Sequence, residues 1–170
     1  IVTSIAAMQL VELEKVQLDQ DLSELLPEMA RIPIMLEDGK LVQPKSAITL
    51  RHLLTHTAGF GYPNRTYKLS EKFDASEWKY EDFPRQFESG TQFLYGTNTD
   101  WAGKLVEKVS GMTLDRYFKK KIFKPLGIKS TYFNVPKKEQ KVPLENNRFT
   151  KKRAQNRSKW VFLDGQKSAV

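Results

Sequence analysis

The chain has 170 residues, no cysteine, and 28 basic against 20 acidic residues, for a net charge of +8. That length makes one domain, or one lobe of a larger one, and is enough to bury a core. The lack of cysteine excludes disulfides, thiolate zinc sites and a cysteine nucleophile in this segment, and no apolar run approaches the roughly 18 residues of a membrane-spanning helix.

The charge is local. Nine basic residues between Lys137 and Lys159 are opposed only by Glu139 and Glu145, and the remainder is nearly neutral. The chain opens Ile-Val-Thr-Ser-Ile-Ala-Ala-Met, without an initiator Met, a basic leader or a cleavage-type site. It reads as though already inside a buried helix, which is the expectation for a piece of a longer polypeptide.

In chain order, residues 1–15 are expected to be helical and largely buried, with Glu12, Glu14 and Lys15 marking the exit to solvent. Asp21 is placed to cap a short helix through Leu25 and Leu26, which Pro27 would end. Ile32–Leu36 and Leu41–Val42 read as a hairpin with Asp38-Gly39 at its turn, and Pro33 marks its first strand as an edge. A short helix over Ile48–Leu54 takes Thr49 as its N-cap, and the glycines of Thr55–Gly61 allow a sharp bend after it. Residues 62–87 mix aromatic and charged side chains with weak periodicity and read as a long lid-like loop.

The stretch Glu88–Gly111 is the most informative. Ser89-Gly90-Thr91 has turn chemistry, Phe93-Leu94-Tyr95 is a short apolar run, and Thr97 or Asn98 is placed to cap a helix. Trp101, Ala102, Leu105, Val106 and Val109 then share one helical face, and Gly111 closes it. Thr113 starts a further helix with Leu114, Tyr117, Phe118 and Ile122 on one face, stopped at Pro125-Leu126-Gly127. Ser130–Val135 reads as a strand, 136–159 as a basic loop, and Trp160–Leu163 as one more strand.

Several familiar sites are missing. There is no Gly-x-Ser-x-Gly elbow, no phosphate-cradling glycine loop and no His-Glu-x-x-His. His52 and His56 sit four apart without a matching carboxylate, so a hydrogen-bonding loop role outweighs a metal, and no metal or cofactor is expected. The single Ser-x-x-Lys, Ser76–Lys79, lies in a polar aromatic loop and is a chance match for a chain with this many serines and lysines. The basic segment has Phe149 as its only aromatic residue, so it lacks a stacking platform and reads as a solvated loop; a nucleic-acid partner is not expected. Tyr95, a phenol at a helix mouth flanked by the Thr97 hydroxyl and the Asn98 amide, is suited to proton chemistry. The same pattern also suits an ordinary helix start with Tyr95 packed beneath it.

Four pieces together resemble one family: IVTSIAAMQLVE at the start, ITLRHLLTHTAGFGY at Ile48–Tyr62, SGTQFLYGTNTDWAGKLVEKVSGMTLDRYF at Ser89–Phe118, and IFKPLGIKSTYF at Ile122–Phe133. In this order they resemble the serine hydrolases of the class C β-lactamase, penicillin-binding-protein and EstB-type esterase superfamily. The resemblance implies an α+β fold of the serine β-lactamase/DD-peptidase type, of which this chain is mostly the helical lobe with a few short strands. Residues 1–135 would form that lobe, and 136–170 a basic loop and the start of a further strand.

It also implies the chemistry. In this superfamily a Ser-x-x-Lys serine is acylated, and it should lie just upstream of Ile1. Tyr95 matches the family's tyrosine and is implied as general base. Thr97 stands where β-lactamases have Asn and Asn98 falls one residue late; both become candidates for substrate binding. The Tyr-Gly-Thr-Asn-x-Asp-Trp form looks more like the esterase and transesterase branch, with Asp100 complementing the helix dipole and Trp101 packing. A lysine, and a tyrosine held near cations, can take the proton from a serine hydroxyl that is otherwise too weak an acid to attack a carbonyl. The expected partner is a small-molecule ester or lactam. The alternative is a catalytically inactive binding or scaffold protein that keeps the lobe without the nucleophile.

Overall fold

A computed structural model describes residues 1–62 and 80–134. The chain divides into two compact units, Ile1–Ile122 and Phe123–Val170.

The first unit is built around one helix. Helix α1 spans Val2–Glu12, α2 Pro27–Ala30, α3 Leu50–Leu54, α4 Asn98–Ser110 and α5 Leu114–Phe118. Helix α4 packs against α1, α3 and α5. Its buried face is Asn98, Trp101, Ala102, Gly103, Leu105 and Val106, the expected 3.6-residue stripe with one polar and one glycine member added and with Val109 only half-buried. Each large apolar side chain buried there contributes about 1.5–3 kcal/mol. Gly103 costs helix propensity, about 1 kcal/mol, but a Cβ there would lie 3.0 Å from Leu114 Cδ2 and 3.6 Å from Thr3 Cγ2. The bare backbone therefore lets α1 and α5 close onto α4. Gly111, left-handed at φ 65°, ends the helix, with its N–H on the Glu107 carbonyl.

Helix α1 is helical as expected but buries less. Only Ala6, Ala7 and Leu10 are buried, while Ile1, Ile5, Met8 and Leu13 are exposed. Two alanines in succession, with Leu10 one turn on, make the face toward α4, and Ile1, Ile5 and Met8 fall outside it.

Thr49 caps α3 as expected: its hydroxyl accepts from the His52 N–H, and the Thr49 N–H donates to His52 Nδ1. The Asp21 expectation changes. Asp21 Oδ1 accepts from the Ser23 N–H in a local turn, and Pro27 opens α2 rather than closing a helix. Proline suits the first helical position because the N–H it lacks would have no partner there.

The hairpin forms between β1 (Ile34–Met35) and β2 (Leu41–Val42), with Ile34 opposite Val42 and Met35 opposite Leu41. The turn glycine Gly39 has φ 84°. Strand β1 is not left open on its far side: Met35 donates to the Arg85 carbonyl and Arg85 to the Pro33 carbonyl, both at 2.8 Å. Pro33 is tolerated there as an acceptor only.

A 3₁₀ turn spans Tyr80–Asp82, and Phe83, Arg85 and Phe87 beyond it are buried. This end of the expected lid is fastened down; the rest of it, 63–79, including Ser76–Lys79, lies outside the described residues.

Helix α5 keeps its Thr113 cap, and the chain continues as a π-helical turn over Lys119–Phe123. In the second unit, Gly127 at φ 67° and the Ile128-to-Phe123 hydrogen bond form the stop. The strand expected at 130–135 is absent from the described part, 130–134. The described part of its own unit holds no strand for it to pair with, and Tyr132 bonds locally to the Lys129 carbonyl. The basic loop and the strand expected at 160–163 lie outside the described residues.

Candidate active site

Two segments meet at the mouth of α4: the loop after α3, His56–Tyr62, and the run Phe93–Asn98. The glycines set the meeting distance. A Cβ on Gly96 would lie 2.2 Å from the Phe60 carbonyl oxygen and 2.6 Å from Gly61 Cα, so only glycine permits this approach. A Cβ on Gly59, at φ 92°, would lie 2.7 Å from the Phe87 carbonyl oxygen.

Hydrogen bonds lock the two segments together. Leu94 donates to the His56 carbonyl at 2.9 Å, and Gly90 to the Thr57 carbonyl at 2.8 Å. Asn98 is fully buried. Its amide nitrogen lies 2.9 Å from the Phe60 carbonyl oxygen, 3.2 Å from that of Leu94, and 3.2 Å from His56 Nδ1. One side chain at the start of α4 therefore gathers three points of the surrounding loops. Thr97 is the N-cap by position, but its side chain does not cap the helix.

Tyr95 emerges from this frame. It is 61% exposed, and its ring lies 4.6 Å from that of His56 and 5.8 Å from that of Tyr62. Phe93 meets the His56 ring edge-on at 6.1 Å. Beneath, Trp101 is fully buried with its ring 5.6 Å from Phe60, and the Lys104 ammonium sits over the indole. Trp101 thus packs, as expected. Asp100 stands in the first turn of α4.

A second latch lies behind the first. The Glu88 carboxylate accepts from the Lys45 N–H, the Ser46 N–H and the Ser46 hydroxyl, and Ser46 Oγ in turn accepts from the Ser89 N–H. Burial pushes the Glu88 carboxyl up, but these donors and the Arg85 guanidinium outweigh it, and the net direction is down. Arg85 is completely buried, and burial lowers its pKa. Its Nε and Nη1 have no hydrogen-bond partner among the described residues, and its Nη2 stands 3.8 Å from Glu88.

The two histidines serve different structures, in keeping with loop hydrogen-bonding roles. His52 belongs to the α3 cap and His56 to the Asn98 junction. Burial lowers the pKa of both; for His52 Asp19 opposes the shift, while Arg85 and Arg51 add to it. Among the described residues no group of three His, Asp or Glu side chains forms a metal site, and no described helix is long and apolar enough to cross a membrane.

The structure thus brings Tyr95, Thr97 and Asn98 together at one helix mouth, with Tyr95 outward and the other two buried. What sequence reasoning missed is the role of His56. Its contact with Tyr95 spans 39 positions, and the only local hint was a histidine next to turn glycines.

The beta-lactamase family profile matches residues 1–157. The chain is 34% identical over 151 residues to a monacolin J acid methylbutanoyltransferase of Aspergillus terreus, covering 79% of this chain and 36% of that protein. It is 36% identical over 149 residues to a lovastatin esterase of Penicillium rubens, covering 78% and 37%. Among solved structures it matches a simvastatin synthase mutant from Aspergillus terreus with a TM-score of 0.72 and 36% identity, covering 78% of this chain and 34% of that one. It also matches EstCE1, a hydrolase with promiscuous acyltransferase activity, with a TM-score of 0.61 and 30% identity, covering 79% and 37%. The chain spans about a third of the length of these relatives, and its mostly helical architecture is a partial lobe of their fold. The chain belongs to the beta-lactamase family, within the serine β-lactamase and penicillin-binding-protein superfamily.

Proposed function

We propose that the full-length protein cleaves or transfers acyl groups of small-molecule esters through an acyl-enzyme on serine, with Tyr95 as general base. The observation that carries this reading is the exposure of Tyr95 at the α4 mouth, beside Leu94, whose N–H and carbonyl are both held by hydrogen bonds. The nucleophile would be the serine of a Ser-x-x-Lys pair outside these 170 residues. Tyr95, acting as a phenolate, would take the serine proton as the hydroxyl oxygen adds to the ester carbonyl, and return it to the leaving alcohol as the tetrahedral intermediate collapses. In the second half the same phenolic oxygen would take a proton from water, giving hydrolysis, or from an acceptor alcohol, giving transfer. Relatives are named as an acyltransferase and an esterase, and transfer and hydrolysis are the two outcomes proposed here.

Thr97 and Asn98 are both buried; Thr97, whose hydroxyl does not cap α4, is the member of the pair assigned to a hydrogen bond with a substrate that enters the α4 mouth. The Asn98 amide nitrogen is already engaged by the loops, so Asn98 supports the site from below. The test is the full-length protein with a short-chain p-nitrophenyl ester. Tyr95→Phe should lower kcat by about 10²–10⁴-fold while leaving the thermal midpoint near that of the parent. Undiminished turnover would remove Tyr95 from the mechanism. A full-length protein that never acylates would mark an inactive binding relative.

A further inference from the structure

We infer that His56 is a positioning residue for Tyr95: a neutral imidazole, locked with its proton on Nε2 by Asn98, that backs the Tyr95 ring and fixes where the phenolic oxygen points. The inference rests on Tyr95 being the general base.

The orientation of the Asn98 amide follows from its partners. The carbonyl oxygens of Phe60 and Leu94 can only accept, so the NH₂ group faces them. His56 Nδ1, 3.2 Å from the same nitrogen, then meets a donor and must itself accept. An N–H on Nδ1 would oppose an N–H. The imidazole is therefore the Nε2–H tautomer, and the cationic form, with both nitrogens protonated, breaks the junction. Two amide hydrogens serve three acceptors, so the histidine bond is shared and works by orientation rather than strength.

The backbone carries the same message. His56 is one of two non-glycine described residues in the left-handed region, at φ 57°. Such a conformation costs about 1–3 kcal/mol and persists where surrounding structure imposes it. Here it aims the His56 carbonyl at the Leu94 N–H while the His56 ring turns onto the Tyr95 ring at 4.6 Å, tilted by 42°. The residue before Tyr95 and the Tyr95 ring are thus held by the carbonyl and the side chain of one residue. A tyrosine 61% exposed would otherwise sample several rotamers, and misplacement of a reacting atom by about 1 Å can cost on the order of 10² in rate.

The experiment is a double-mutant cycle in the full-length protein with a p-nitrophenyl ester, with rates expressed per acylatable active site from the burst. His56→Asn is the informative variant, since asparagine tolerates the left-handed backbone but removes the ring. It should lower kcat by roughly 10- to 100-fold with KM within about twofold of the parent. In the Tyr95→Phe background the same change should cost almost nothing, because there is no proton-carrying phenol left to orient. Imidazole ¹⁵N shifts of the parent should show His56 as the Nε2–H tautomer at neutral pH, an observation independent of turnover. An inactive Tyr95→Phe beside a His56→Asn of parental kcat per site would overturn the positioning role and leave Tyr95 as the base. Equal losses from His56→Asn in both backgrounds, or an Nδ1–H tautomer, would also overturn it. If Tyr95→Phe itself keeps full turnover, the base assignment fails and the positioning role falls with it.

Discussion

The Asn98 side chain shows how much one residue can specify. A buried amide with its NH₂ on two carbonyls cannot be exchanged for its isostere, since Asn98→Asp puts a carboxylate oxygen against the Phe60 and Leu94 carbonyls. Purified Asn98→Asp should be destabilised by roughly 3 kcal/mol or more at neutral pH, and denaturant titration measures this directly. An unfolding free energy unchanged from the parent would mean that the amide is not held by those carbonyls. The histidines and Glu88 set the acid behaviour. His52 and His56 titrate below their ordinary value because burial disfavours the cation, so the unfolded chain binds those protons first. Their contribution to stability is present above about pH 6.5 and is lost as pH falls through the lowered folded-state values. Glu88, also lowered on balance, adds a second loss below about pH 4.3. The thermal midpoint should thus begin to fall just below neutrality and fall again in the carboxylate range. In His56→Asn the first step should shrink; a first step of parental size would assign it elsewhere.

At the scale of elements, local signals were readable and distant ones were not. The caps of α3 and α5, the stripe of α4 and the Asp38-Gly39 turn depend on neighbours within four positions, and these elements stand where the sequence placed them. Three misreadings share one cause. Pro27 opening α2, Arg85 pairing with β1, and 130–134 without a strand all depend on what lies alongside in space. Hydrophobic periodicity is equally blind to a buried polar group, so it gave no hint that Arg85 or Asn98 would be fully enclosed. Tyr95, Thr97 and Asn98 could be put forward together because they are adjacent in the chain; the contact between His56 and Tyr95 could not, because the two are remote in sequence. The glycine contacts provide an element-level test. Gly96→Ala drives a methyl group into the Phe60–Gly61 backbone and should cost about 2–4 kcal/mol. Gly39→Ala faces open space and bears only the left-handed penalty of about 1 kcal/mol. Comparable midpoints for the two variants would contradict the close approach that seats Tyr95.

For the whole molecule, the relatives define what this lobe can contribute. It brings a proton-carrying phenol to the mouth of a buried helix, and the remaining two thirds of a relative's length leaves room for the nucleophile and the opposing wall of a cleft. The division of labour is physically sensible. The proposed base, Tyr95, stands three residues before α4, which other helices clamp through Gly103 and the paired alanines, and a rigid support limits the reorganisation needed as its charge changes. Under the proposed function, whether water or an alcohol ends the cycle would depend on which of them reaches the acyl-enzyme. The most direct measurement is the rate at which the full-length protein acquires an acyl group, followed by intact mass after mixing with a p-nitrophenyl ester. The account predicts rapid stoichiometric acylation of the parent and acylation slowed by about 10²–10⁴-fold in Tyr95→Phe. Equal acylation rates in the two proteins would contradict it.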